Sequence, residues 1–249
     1  MEEARRKAYL TAMGITVWQR RDPPAAVAPE TMVSEAESLP APERTAGERT
    51  LVETTATAPM AESAADQWSD LRRRVSACSA CSLRAGCTQT VFGVGNTQAG
   101  LLIIGEAPGA DEDRQGEPFV GPAGQLLNAM LLAMGFQREA VFIANIVKCR
   151  PPSNRNPKQE EALQCEPFLL QQIALIQPKV ILSLGAVSAH NLLKTDIPVG
   201  RLRGRIHNYG DSAIPLVVTY HPAYLLRSPE QKAKSWQDLQ LALSLLREQ

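Results

Sequence analysis

Five cysteines stand out first in this 249-residue chain, because their spacing limits what they can do. Cys78 and Cys81 form a C-x2-C pair, while Cys149 and Cys165 follow far downstream with 15 residues between them. Four thiols brought together by a fold suit zinc or an iron–sulfur cluster. Unrelated buried thiols, with Cys87 among them, are the alternative on spacing alone. A redox pair is disfavoured, since no thioredoxin-like strand precedes the C-x2-C.

A second group of residues surrounds the stretch Leu101 to Gly124, LLIIGEAPGADEDRQGEPFVGPAG. Its apolar run ends at Gly105 and gives way to Glu106, Ala107, Pro108 and Gly109, then Asp111, Glu112, Asp113 and Phe119. Neither G-x-x-x-x-G-K-S/T nor G-x-G-x-x-G can be read from it, so it is no phosphate cradle. Phe119 follows a polar, glycine-containing stretch and could offer a ring on which a base stacks, or simply belong to the core. Asn145 could present an amide donor and acceptor to one edge of a planar ligand, or brace a neighbouring loop. His221, between a strand and Pro222, has a fixed direction and could donate to an oxygen that gains negative charge.

These residues need elements to carry them. Four aliphatic residues bounded by glycines, Leu101 to Ile104, read as a strand buried on both faces. Further strands are expected at Val141 to Val147, Val180 to Leu184 and Leu216 to Thr219. Helices are expected at Gly124 to Met134, Pro157 to Ile176, Ala186 to Leu193 and Pro229 to Leu246. Such alternation predicts an α/β fold, a three-layer sandwich of helices around a short, mainly parallel four-stranded sheet. In sheets of this kind ligands bind beyond the carboxyl ends of the strands. The loops GEAPG, Asn145 to Arg150 and TYHPAYLLR all lie there.

Ahead of this domain, residues 20–65 are rich in Ala, Pro, Glu and Thr without apolar periodicity, the composition of a disordered linker. The folded domain is expected over residues 66–249, where Trp68, Leu71 and Val75 share one helical face. Residues 1–19 read as a short helix, Glu2 to Met13, stopped by Gly14, or as a docking peptide. Its YLTAMGITVWQRR faintly resembles the N-terminal peptide of the clamp-loader psi subunit, which implies contact with the replication machinery.

Formal net charge is zero, with 26 basic and 26 acidic residues. The first 65 residues hold 7 Lys/Arg against 10 Asp/Glu, leaving 19 against 16 in the remainder. That excess is too small to argue nucleic-acid binding by itself. No apolar run of membrane-spanning length and no signal-peptide core occurs, so a cytoplasmic protein without membrane contact is expected. Unbridged cysteines follow from that compartment.

The motifs together resemble the family 4 uracil-DNA glycosylases, which carry a [4Fe–4S] cluster. GEAPGADEDRQGEPFVGPAG, NIVKCRPPSNRNP, LRGRIH, TYHPAYLLR and the paired cysteines occur in the family's order, over about Trp68 to Leu246. The resemblance implies hydrolysis of the N-glycosidic bond of deoxyuridine in DNA, leaving an abasic site. It assigns the cluster to Cys78, Cys81, Cys149 and Cys165, with Cys87 spare. Phe119 would stack on the extruded uracil, Asn145 read its Watson–Crick edge and His221 meet O2. Glu106 and Ala107 would line the pocket, and Glu112 help exclude a 5-methyl group.

A related family with GQDPYH has an Asp where Ala107 stands, so Glu106 is the nearest group for activating water. Leu225 and Leu226 are candidates to fill the gap left by the base, with the alternative that one of them is simply core, and Arg227 is a candidate for a phosphate. Arg201, Arg203 and Arg205 form a basic loop expected to touch the DNA backbone. A variant family bonds covalently to uracil-DNA through a histidine in a comparable loop; here the neighbours of His207 fit the ordinary pattern better. The expected partner is uracil-containing DNA and the expected state a monomer. The rival reading is a non-catalytic module, either zinc-containing and nucleic-acid-binding or a clamp-loader accessory.

Overall fold

The computed structural model describes residues 63–211 and 213–248, with Thr11 ahead of them. The expected terminal helix and linker therefore lie outside the described residues. The first described helix, α1 (Ala64–Ser76), starts where Ser63 accepts a hydrogen bond from the Asp66 N–H, and buries Leu71 and Val75. A short helix α2 (Leu83–Gly86) follows it.

Four parallel strands form the middle of the sheet: β2 (Leu101–Gly105), β3 (Phe142–Asn145), β4 (Val180–Leu184) and β6 (Ile214–Thr219). They match the four expected. The sheet nevertheless has six strands, in the order β1-β3-β2-β4-β6-β5. The two unexpected ones, β1 (Val94–Gly95) and β5 (Ile206–Tyr209), pair antiparallel with β3 and β6 at the two edges. Neither could carry an apolar run: β1 is two residues long, and β5 alternates exposed and half-buried positions.

Alternation along each strand divides the core. Leu102, Ile104, Ala144, Ile181 and Val218 face α1, α5 (Gln159–Ile176) and α6 (Gly185–Leu193). Leu101, Ile103, Ile143, Leu182 and Val217 face α4 (Pro122–Met134) and α9 (Lys232–Glu248). Both faces are covered, which is why the strands read as continuous hydrophobic runs. Truncating a fully buried residue such as Ile103 to Ala would cost about 2–5 kcal/mol.

Two short helices sit directly behind strand ends. The first, α3 (Ala110–Gln115), follows β2; α8 (Pro222–Arg227) follows β6, with α7 (Val199–Leu202) ahead of β5. The closing helix begins at Lys232 after a single 3-10 turn, Pro229–Gln231, rather than at Pro229.

Candidate active site and cysteine pocket

The ends of β2 and β3 meet at Gly105, which pairs with Asn145. A methyl group placed on that glycine would fall 2.5 Å from Asn145 Oδ1 and 2.6 Å from Phe119 Cζ, so no other residue leaves both in place. The Phe119 and His221 rings lie 5.6 Å apart between centroids and tilt by 31°. Gly185, at the β4 end with φ +86, makes room for the His221 Cβ, which would stand 2.9 Å from a side chain there. Gly105 thus stands against both Phe119 and Asn145, and the Phe119 ring lies beside His221, which brings together residues spread over a hundred positions of sequence.

Asn145 is only 2% exposed, and its Oδ1 is buried without a hydrogen-bond partner. An unpaired buried acceptor costs about 1–3 kcal/mol and points to a ligand N–H. Its main chain is fixed from beneath: buried Lys148 donates from Nζ to the Asn145 carbonyl at 2.9 Å and to Gln172 Oε1 at 2.7 Å.

His221 Nδ1 accepts from the Ala223 N–H at 3.1 Å, so the ring proton of the neutral imidazole sits on Nε2. Burial, aided by the nearby Arg227 charge and opposed by Glu112, holds its pKa down at about 4. The residue is therefore a neutral donor at physiological pH. Glu106 is half-buried, and burial raises its carboxyl above the usual range.

Glu112 does something the sequence did not suggest. Its carboxylate accepts from three main-chain N–H groups: Gly109 at 3.1 Å, Val120 at 3.0 Å and Gly121 at 3.2 Å. Oε2 thereby caps α3 at Gly109, while Oε1 ties the helix to the loop that carries Phe119. Its neighbour Asp113, buried, turns the other way and accepts from the Thr88 N–H at 2.9 Å, the Thr88 hydroxyl at 2.8 Å and the Gln89 N–H.

Two expectations for the DNA-facing rim need correction. Leu225, 1% exposed, belongs to the core beside α4, because its position on α8 points inward. The next residue, Leu226, is 45% exposed. Arg203 is not a loose cation either: Nε and Nη2 grip the fully buried Asp238 at 3.0 and 2.9 Å, pinning the basic loop to α9. Arg201, Arg205 and Arg227 are exposed. His207 Nε2 is engaged with the Leu202 carbonyl at 2.8 Å.

The cysteines gather on the other side of β3. Cys78, Cys81, Cys149 and Cys165 line one pocket with Val75 and Phe168, and all five cysteines are unbridged. Burial first, then a hydrogen bond with Cys87 and the neighbouring Cys165 and Cys81, raises the Cys149 thiol strongly. Burial also raises Cys165, which Cys78 and Cys81 approach and whose sulfur accepts the Lys148 N–H at 3.3 Å. Among the described residues no three His, Cys, Asp or Glu side chains converge on a single-ion position. Four soft thiolates in an apolar pocket are the donor set of an iron–sulfur cluster, so the residues fit that group.

Residues 92–240 match the family model described as the uracil DNA glycosylase superfamily. A type-4 uracil-DNA glycosylase from Pyrobaculum aerophilum is 41% identical over 175 residues, 68% of this chain and 89% of the relative. Another from Thermotoga maritima is 41% identical over 181 residues, 71% of this chain and 93% of the relative. One from Archaeoglobus fulgidus is 41% identical over 167 residues, 65% and 84% respectively. The chain belongs to the type-4 uracil-DNA glycosylases. No described helix is long and apolar enough to cross a membrane.

Proposed function

We infer that this chain, a uracil-DNA glycosylase of base-excision repair, excises uracil in the slot formed by Phe119, Asn145 and His221. One observation carries the assignment of roles: the unpaired Asn145 Oδ1 stands beside a stacking ring and a neutral histidine donor. A deoxyuridine turned out of the helix would stack on Phe119 and give its N3–H to Asn145 Oδ1, while the side-chain amide faces a carbonyl. Thymine offers the same edge, so its rejection rests on the slot's shape at C5, which the loop held by Glu112 defines.

The C1′–N1 bond breaks with its electron pair leaving on uracil, and charge develops on O2. His221 Nε2–H meets that charge as a neutral donor; removing one such donor costs about 2.7–4 kcal/mol in other enzymes. Because the imidazole is already neutral at pH 7, it need not lose a proton to the bulk before acting. The sugar is left cationic at C1′ and takes up water. Glu106, whose carboxyl is raised by burial, is the group we assign to take the proton that water releases. Leu226 fills the vacated place in the duplex, while Arg227, Arg201 and Arg205 contact phosphates.

Cys78, Cys81, Cys149 and Cys165 would hold a [4Fe–4S] cluster. When bound, it cross-links the segment after α1 to the end of β3 and to α5, a structural rather than a reacting role.

Oligonucleotides carrying U, T or hypoxanthine, assayed for free base and abasic sites, test this reading. Release of uracil and not thymine is expected. His221→Ala and Asn145→Ala should each lower single-turnover release by about 10²–10³-fold with little change in DNA affinity. Equal losses of rate and affinity would refute the assigned roles.

A further inference from the structure

Phe119 is held in an unusual way. Its φ is +56°, a left-handed conformation that a bulky L-residue avoids unless its surroundings impose it. Three features impose it. Gly124, in the first turn of α4, lies so close that a Cβ there would stand 1.9 Å from the Phe119 carbonyl oxygen. Glu112 holds the N–H groups of the two residues that follow Phe119. The third is Arg138, on the 3-10 turn Arg138–Ala140 between α4 and β3. Its guanidinium donates to the carbonyls of Pro118 and Phe119, the latter at 3.3 Å, and is itself steadied by Asn128 Oδ1 on α4 at 3.2 Å.

We propose that Arg138 is a positioning residue for base stacking, its fork holding both carbonyls at Pro118 and Phe119 so that the ring stays over Gly105. The inference rests on the reading that Phe119 stacks on uracil. Chemistry favours arginine here: a planar guanidinium spans two adjacent carbonyl oxygens, which a lysine ammonium on a flexible stem does not. The loop is then clamped by opposite charges, a cation on the carbonyls before the bend and a carboxylate on the amides after it. Neither charge touches the base. Arg138 lies outside every motif that marks the site, 19 residues beyond the one it positions.

A double-mutant cycle with Phe119→Leu tests this. Single-turnover release, inhibition by free uracil and affinity for a uracil-free duplex would be measured for Arg138→Met, Arg138→Lys, Phe119→Leu and the Met/Leu double variant. Expected for Arg138→Met is a rate loss of about 5- to 150-fold, the span of losing one base–aromatic stack. Inhibition by uracil should weaken in parallel while duplex affinity stays, and Arg138→Lys should fall between Met and wild type. In the Phe119→Leu background, Arg138→Met should cost almost nothing more. Equal losses in both backgrounds, a loss shared by duplex affinity, or no loss in the wild-type background would overturn the proposal. Should Arg138→Met fail to fold, Arg138→Lys carries the test, and a lysine enzyme with wild-type rate and uracil inhibition would refute it. If Phe119→Leu alone keeps full rate, the stacking reading itself falls and takes this inference with it. If only Phe119→Leu loses rate, Arg138 alone is refuted.

Discussion

Asn145, beside Gly105 in the slot, and Cys149, in the cysteine pocket, stand four positions apart at the end of β3, yet the two regions are built on opposite principles. In the slot almost every polar group is already placed by the polypeptide: His221 by the Ala223 N–H, the Asn145 main chain by Lys148, the Phe119 loop by Glu112 and Arg138. Asn145 Oδ1, buried and unpaired, is left open for a ligand. In the cysteine pocket the sulfurs crowd one another and burial raises Cys149 and Cys165, so the protein alone disfavours the thiolates a metal group needs. On the function proposed above, the first region is preorganised for a substrate that comes and goes, and the second would be completed by a resident cluster.

Removing a cysteine breaks this comparison most directly. Cys149→Ser should abolish the broad visible absorbance expected of the cluster and lower the thermal midpoint by about 5 °C or more. Protein that remains folded at low temperature should still release uracil. A variant that stays fully folded but loses excision would show that the pocket takes part in the reaction.

Asp113→Ala should come next in size. It strips the acceptor from Thr88 and Gln89 and should cost about 1–3 kcal/mol in chemical denaturation. Because Asp113 shares α3 with Glu112, uracil release should fall as well, whereas Asp111→Ala, on an exposed pair with Arg114, should leave both nearly unchanged. Loss of stability without loss of rate would mean that the two regions are independent.

The smallest effect concerns pH. His221 protonates at about 4 in the folded chain, against about 6.5 for an unfolded histidine. Between those values the unfolded chain binds a proton that the folded chain refuses. Stability contributed by this residue is therefore complete above pH 6.5 and is lost as pH falls toward 4. Nitrogen NMR of the imidazole should report the neutral Nε2–H form down to about pH 5, and a titration near 6.5 would contradict the buried, donor-only role.

Much of this architecture was legible because it is repetitive. The four central strands announce themselves as apolar runs, buried on both faces. Edge strands do not, since β5 exposes Ile206 and hydrogen-bonds on one side only. Helices α3 and α8, six residues each, are too short for a 3.6-residue period to emerge. At the site, Phe119, Asn145 and His221 stood in recognisable loops, as did Glu112 and Lys148, but the tasks of the groups that aim them did not show. Arg138, Lys148 and Glu112 act on main-chain carbonyls and amides, which carry no side-chain signature, so no spacing could have disclosed them. Arg203 misleads for the same reason: as one of three arginines it reads as a phosphate contact, and only Asp238, 35 residues on, makes it an internal anchor. Leu225 and Leu226 differ solely by a turn of the helix relative to α4.

Adjacent acidic residues on α3 face opposite duties, Glu112 toward the base-stacking loop and Asp113 toward the segment next to Cys87. Because the two carboxylates are consecutive on a helix of six residues, neither can shift without the other. A displacement that starts beside Cys87 therefore reaches the Phe119 loop through one peptide bond.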